Sequence, residues 1–388
     1  MRYWVTCLAL LFLFVSLGIS QDAKKKEKDP GKESGGGGDT EPTEILGKSF
    51  KEWKAEIHHK DPSKRETAVK SIMQFGPNKA YDALPDILAE LKKHSAKTPV
   101  DLSFRINGTM AVSTIFKYKK EPDPKYAKDA VAIYKTFLKD DQMMMKIRTV
   151  QGLPFLGPTC RDALPEVVAM AKNTLTWEAR KEAIQVLGLI GFEDKGVPMV
   201  PVMGEVLKAV DIDNERSFQV RIAALRSIGN LGRAADPTQK GPIIAKLNTV
   251  LDKDDDPHVL ITTHVTIMTI EGKVTTKHLA ALVRFLKSKD AEVRVDAIQS
   301  IGMLGKDAKP ALAGLLDCLD DPEPTVAVTA IVTMANIDDS AKPYMEKVKN
   351  DKKAPEIVRA AATEAIAYIE MREKLAKEAK DKKDKKDK

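Results

Sequence analysis

Six arginines in this 388-residue sequence recur at a spacing that could do chemistry. Arg65, Arg105, Arg180, Arg221, Arg294 and Arg359 head similar segments, and three more segments carry Lys146, Leu260 and Ala327 at the same register. The nine registers stand 32 to 41 residues apart. The best-kept pair reads VRIAALRSIGNLG from Val220 and VRVDAIQSIGMLG from Val293, identical at eight of thirteen positions. A guanidinium offers a planar fork of donors that fits phosphate and carboxylate. Stacked at intervals, such forks would either grip an anionic ligand or bond carboxylates and carbonyls of adjoining units and so fix their stacking. Each arginine sits beside the apolar stripe of its own segment, which favours the second use. A ligand-binding ladder is the alternative, interrupted at Leu260 and Ala327.

Other chemistry finds little material. The histidines are His58, His59, His94, His258, His264 and His278, and none has another histidine four residues away. A metal centre needs such clustered ligands. His264 falls on the buried stripe of its segment, in the slot that Ile298 fills one unit later, and reads as a hydrogen-bonded core residue. No G-x-S-x-G elbow or phosphate-binding loop occurs, and Gly35 to Gly38 lack the lysine and helix that a phosphate loop requires. Asn107-Gly108-Thr109 matches a glycosylation sequon but falls inside a predicted helix. The expectation is therefore no catalytic residue, no cofactor and no metal.

The elements that would position the arginines follow from periodicity. In the seventh segment Val293, Ala297, Ile301 and Leu304 recur at helical spacing and make one apolar stripe. Gly305 is expected to end that helix and Pro310 to open a second, with Leu312, Leu315, Leu316 and Leu319 on its buried face. Asp61, Asp101, Thr176, Ser217 and Asp290 stand four residues before their register and read as N-caps. Two helices of this length cannot bury both apolar faces between themselves, so a neighbouring pair must cover the remainder.

The pattern D-x-x-V-R-x-x-A-I-x-x-I-G-x-L-G, followed by A-L-P at Ala83 to Pro85 and Ala163 to Pro165, resembles HEAT repeats of the subgroup first associated with phycobilisome lyases. The resemblance covers residues 50 to 369. It implies an all-α fold, a right-handed α-solenoid of about nine stacked helix pairs, and it leaves function open, since a fold does not carry an activity with it.

Residues 1 to 20 have one basic residue, an apolar run from Val5 to Ile19 and Ser20 before Gln21, the pattern of a secretory signal peptide. Residues 21 to 48 mix charge, proline and glycine as a flexible linker does. The solenoid is expected over 49 to 369, and 370 to 388 as a charged Lys/Asp tail. Export to a periplasmic or extracellular location follows. The formal charge of +7 falls to +6 without Arg2, and the tail's nine basic and six acidic residues hold +3 of it. The body is thus close to neutral, which disfavours nucleic acid as a partner. Cys160 and Cys318 lie four units apart, roughly 30 to 40 Å at 8 to 10 Å per helix layer, beyond disulfide reach.

The function expected is a non-catalytic, monomeric scaffold that binds another protein; alternatives are an accessory or lyase-like subunit holding a cofactor or substrate on its concave face, or an envelope-attached structural protein. Units two, four and five carry longer connections at the same turn, and Tyr118, Lys119, Lys120, Phe192 and Arg233 within them supply aromatic and cationic side chains of the types enriched at binding hot spots. Lys92, Lys93, Lys139, Lys172, Lys208 and Lys287 gather late in second helices, where cations offset the helix dipole. The alternative there is a groove for an acidic partner.

Overall fold

The computed structural model describes residues 42–95, 101–172, 176–193, 196 and 198–386. The segment read as a signal peptide, residues 1–20, and the expected linker up to residue 41 lie outside the described residues.

The chain enters through a two-residue antiparallel ladder that pairs Glu44 with Ser49 and Ile45 with Lys48. Its turn places Leu46 and Gly47 at positive φ. Trp53 of helix α1 (Phe50–Glu56) donates its indole N–H to Ile45 O at 2.7 Å and pins the turn to the first helices. This short ladder, with an isolated bridge between Phe192 and Pro198, is the strand pairing among the described residues.

Helix pairs then follow. The first helices of successive units are α2 (Pro62–Gln74), α4 (Leu102–Tyr118), α6 (Met143–Gly152), α8 (Trp177–Ile190), α10 (Phe218–Ala234), α12 (Pro257–Glu271), α14 (Ala291–Gly302), α16 (Pro324–Ile337) and α18 (Glu356–Lys386). Between them lie the second helices α3 (Leu84–Lys93), α5 (Pro124–Phe137), α7 (Leu164–Ala171), α9 (Val200–Lys208), α11 (Pro237–Lys253), α13 (Thr276–Phe285), α15 (Leu312–Leu316) and α17 (Lys342–Asn350). Each first helix packs on the next in an unbroken series, and each second helix lies against the first helix of the following unit. The fold is an all-α solenoid, HEAT-like in its paired helices.

The motif explains this packing residue by residue. Val293, Ala297 and Ile301 of α14 are buried, and Leu304 is half-buried against the same core. The motif glycine at Gly188 does not end a helix. A Cβ there would stand 2.7 Å from the Ser227 backbone, so glycine is what lets α8 and α10 approach closely. Ser227 uses that approach to donate its hydroxyl to Ile184 O at 2.9 Å.

Capping follows the sequence at Asp61, Thr176, Ser217 and Asp290, whose side chains accept from backbone N–H groups in the first turn. Asp101 makes no such bond, because its carboxylate is turned to Arg65 instead.

About nine units are present as expected: among the described residues they are eight helix pairs and a ninth unit of one long helix, α18, which continues past Ile369 through the charged segment. Lysine, glutamate and alanine are good helix formers, and Arg372 donates to Ala335 O at 3.0 Å while Lys342 pairs with Glu370 at 3.1 Å. The longer connection of unit five is mostly helix, and that of unit two is a five-residue loop, 119–123, between helix ends. Helix α10 runs to Ala234 and α11 starts at Pro237, where a capping box on Asp236 turns the chain in two residues, so Pro242 lies within the helix. Gly305 is at positive φ as a turn residue, but Pro310 falls in a 3-10 turn and α15 begins at Leu312.

Candidate functional site

The guanidiniums of the register are committed within the chain. Arg65 pairs with Asp101, Arg105 with Asp140, Arg180 with Glu215, Arg221 with Asp254 and Arg294 with Asp321. Each partner belongs to the entrance of the next unit. Arg180 and Arg294 grip theirs with two bonds each, at 2.7 and 2.8 Å in both cases. Arg221 Nη2 donates to Asp254 Oδ1 at 3.0 Å, and its Nε stands 2.7 Å from Oδ2, close but off the hydrogen-bond axis.

The same fork also holds its own unit. Arg65 Nη1 donates to His59 O and Lys60 O at 2.8 and 2.9 Å. Arg221 reaches Glu215 O and Arg216 O at 3.0 Å, and Arg294 reaches Ser288 O and Lys289 O at 2.8 and 3.2 Å. These carbonyls belong to the loop five and six residues before the arginine. One side chain therefore ties the loop into its unit to the loop into the next.

The acid in turn accepts from the backbone two residues on: Asp140 from Gln142 N at 2.8 Å, Glu215 from Ser217 N at 2.9 Å, Asp254 from Asp256 N at 3.1 Å and Asp321 from Glu323 N at 2.9 Å. It starts the following first helix and neutralises the preceding arginine together. A carboxylate so placed is a charge-assisted acceptor, stronger than a neutral one.

The acid was present in the sequence and went unread. It stands six residues before the next register at Asp140, Glu215, Asp254 and Asp321. Where the register has no arginine, at Leu260 and Ala327, the same place one unit later holds Ser288 and Lys353. In these six units arginine and acid are kept or lost together, as a structural tie requires; Arg65 instead uses Asp101, four residues before the next register, and Lys146 is followed by Thr174 at the acid's place. Arg359 donates to Lys352 O at 3.4 Å.

The proposed edge residues are distributed unevenly. Tyr118 is 56% exposed, with Lys117 Nζ 5.5 Å from its ring centroid, and Lys119 Nζ lies 4.5 Å from that of Tyr81. Lys120 and Arg233 are exposed. Phe192 is half-buried and packs on the core, with its backbone bridged to Pro198, so it shapes the loop more than it offers a contact. Two exposed apolar residues were missed. Phe155 and Leu189 fall at the ends of the first helical segments of units three and four, nine residues after their registers. Lys117 Nζ also stands 5.6 Å from the Phe155 ring, so units two and three meet along this row. The available signal was an apolar side chain one step off the buried stripe.

Four of the six lysines late in the second helices are in ion pairs, two of them across units. Lys139 meets Glu166 at 3.1 Å, Lys172 meets Glu205 at 3.3 Å, and Lys93 pairs with Glu90 within its own helix. Among the described residues no group of three or more His, Cys, Asp or Glu side chains could hold a metal ion.

Two buried groups give tests. Cys160 and Cys318 are free and buried, and burial pushes both thiols up to about 11. Thiolate is the reactive form. Neither thiol should react with a maleimide at neutral pH in the folded protein, both should react in denaturant, and peptide mapping should find no link between them; rapid native labelling of either would contradict the placement.

His264 and His278 face each other through Nδ1 atoms 2.8 Å apart. Burial, then the charges of His278, Lys277 and Arg284, lower His264 from 6.5 to about 4. His278 is lowered as well, by burial first and Lys277 second, with Glu271 opposing. A folded-state value below the unfolded one means the unfolded chain binds more protons in that window. The pair's contribution is therefore intact above pH 6.5 and is lost as pH falls towards about 4. Thermal midpoints measured over that range should fall less steeply in His264→Gln than in the parent; equal slopes would contradict the assignment.

No protein-family model and no curated protein sequence matches this chain. Among solved structures, a crystal structure of a Kap121p mutant is similar, with a TM-score of 0.48 and 14% identity over 81% of this chain and 37% of that one. This chain thus spans well under half the length of that protein. At that identity and score the likeness carries no inference about function, and the fold stands on the helices and contacts described above.

Proposed function

We propose that the chain is an exported, monomeric, non-catalytic scaffold that binds another protein along the row of exposed side chains at the ends of its first helices. The observation that carries this reading is the self-pairing of the register arginines. Side chains that would have given the repeats an anion-binding surface are used to hold one unit to the next, which leaves recognition to the surface. Tyr118, Phe155, Leu189 and Arg233, with Lys119 and Lys120 beside them, supply apolar and cationic groups in four consecutive units. Exposed aromatic and arginine side chains of this kind carry binding energy out of proportion to their number. Apolar residues clustered on a surface mark interaction sites more often than scattered ones do.

Export rests on the signal-like segment 1 to 20, and the motif's likeness to the phycobilisome-lyase HEAT subgroup adds kinship of pattern. Thiol attachment of a tetrapyrrole, the chemistry that likeness would suggest, is disfavoured by the buried, proton-retaining state of Cys160 and Cys318. The test replaces Tyr118, Leu189 and Arg233 together with alanine. These are exposed positions, so the melting temperature should hold while partners captured by the parent protein from the extracytoplasmic fraction are lost. Equal capture by the triple variant would remove this edge from consideration. N-terminal sequencing of the mature protein should begin at Gln21.

A further inference from the structure

Unit three departs from the ladder, and a cleft opens where it does. Its register holds Lys146 in place of arginine, and Lys146 has no ion pair among the described residues. The half-buried ammonium lines an open cleft of about 370 Å3 between the end of α5, α6 and the start of α7. That volume is within the range of pockets that hold small ligands, about 300–1,000 Å3. The other walls are Leu138, Lys139, Pro165, Glu166 and Met170.

Glu166 is the unusual member. Its side chain is only 10% exposed. Oε1 is 3.1 Å from Lys139 Nζ, but Oε2 is buried without a hydrogen-bond donor, the nearest cation being Lys135 Nζ at 3.9 Å. The corresponding acid of the next unit, Glu205, takes Lys172 and Lys208 on one oxygen, Oε1, at 3.3 and 3.1 Å, and neither of its oxygens is both buried and unpaired, so the buried open oxygen is particular to Glu166. Leaving a buried acceptor unpaired is costly, and a donor on a ligand would recover that cost.

We propose that this cleft binds the carboxyl terminus of a peptide chain whose last residue is apolar. The terminal carboxylate sits on the ammonium groups of Lys146 and Lys139. The amide N–H of the same last residue, a few ångströms from its carboxylate by covalent geometry, donates to Glu166 Oε2, which turns from its buried position towards the cleft to accept it. The side chain lies against Leu138, Pro165 and Met170. Two cations and one carboxylate on the walls leave a net positive charge that a single further carboxylate offsets. Capture of a terminal carboxylate is a recurrent mode of peptide recognition. This inference deepens the scaffold reading and names one chemical class of partner for it.

The test titrates the full chain by calorimetry with a short acetylated peptide ending in leucine, with its carboxamide form, and with N-acetyl-aspartate amide. The free acid should bind, and amidation or Lys146→Gln should weaken it at least ten-fold. Glu166→Ala should weaken it several-fold, because the peptide N–H loses its acceptor; a simple cation patch would instead bind the acid more tightly once that negative charge is gone. Equal binding of the amide, no loss in Lys146→Gln, or tighter binding by Glu166→Ala would each overturn the proposal. Binding of N-acetyl-aspartate amide as strong as that of the peptide would overturn the terminus in favour of an aspartate side chain. The Tyr118/Leu189/Arg233 triple variant should bind the peptide unchanged, so failure of the edge and failure of the cleft are read separately.

Discussion

Asp140→Ala should lower the unfolding free energy by about 3–5 kcal/mol, the cost of breaking a buried ion pair by removing one partner. Arg105 is fully buried, at 0% exposure, and Asp140 is at 1%. Taking the carboxylate away leaves a guanidinium in the core and Gln142 N without its acceptor. Replacing both residues with apolar ones of similar volume, Arg105→Met with Asp140→Leu, should recover most of the loss, since the pair itself had to be desolvated. The Arg294–Asp321 tie lies nearer the surface, with side chains 11% and 9% exposed, and Asp321→Ala should cost less. Urea unfolding of the three variants measures the order. A loss below about 1 kcal/mol for Asp140→Ala, the scale of an exposed pair, would mean that the pair does not hold units two and three together.

Units seven to nine should open separately from units one to six. The apolar core is divided into two clusters that meet across α12, with Val259, Ile267 and Ile270 in one and Ile261 and Met268 in the other. At that same helix the ladder is interrupted, since Leu260 faces an entrance with Ser288 where an acid would stand. In a solenoid, stability is a sum of unit terms and nearest-neighbour interfaces; of the interfaces without an arginine–acid tie, after units three, six and eight, the one after unit six also coincides with the division of the core, and that is where cooperativity divides. Hydrogen exchange should show α14, α16 and α18 sharing an opening free energy below that of α4, α8 and α10, because the C-terminal block is smaller. Installing the tie with Leu260→Arg and Ser288→Asp should bring the two values together. One common opening energy in the parent protein would contradict the division.

The fold was legible where one residue type answers to one geometric need. The stripe of Val293, Ala297 and Ile301, the caps at Asp61 and Ser217, and the A-L-P openings of α3 and α7 are local, and their physics acts within a turn of helix. What went unread involves two units at once. The acid six residues before a register has no meaning within its own unit, where it resembles a loop residue; its role emerges when the arginine of the unit before it is folded alongside. Connections were also misjudged for this reason. A proline near a predicted boundary, such as Pro242, suggests a loop, but the capping box at Asp236 had already started the helix. At the candidate edge, Tyr118 and Arg233 were found by their place in longer connections, whereas Leu189 lies inside a helix and shows itself only by facing outward, 56% exposed.

The most direct measurement of the central claim, that register arginines are ties between units, is a double-mutant cycle on Arg221 and Asp254. Residues in direct contact couple by about 0.5–3 kcal/mol, and distant ones add within about 0.3–0.5 kcal/mol. With Arg221→Met and Asp254→Asn measured singly and together, the account predicts a coupling in the upper half of that range. Arg221→Met combined with Asp321→Asn, three units on, should be additive. A coupling between Arg221 and Asp254 no larger than that of the remote pair would contradict the account and return the arginines to the surface as candidates for binding a ligand.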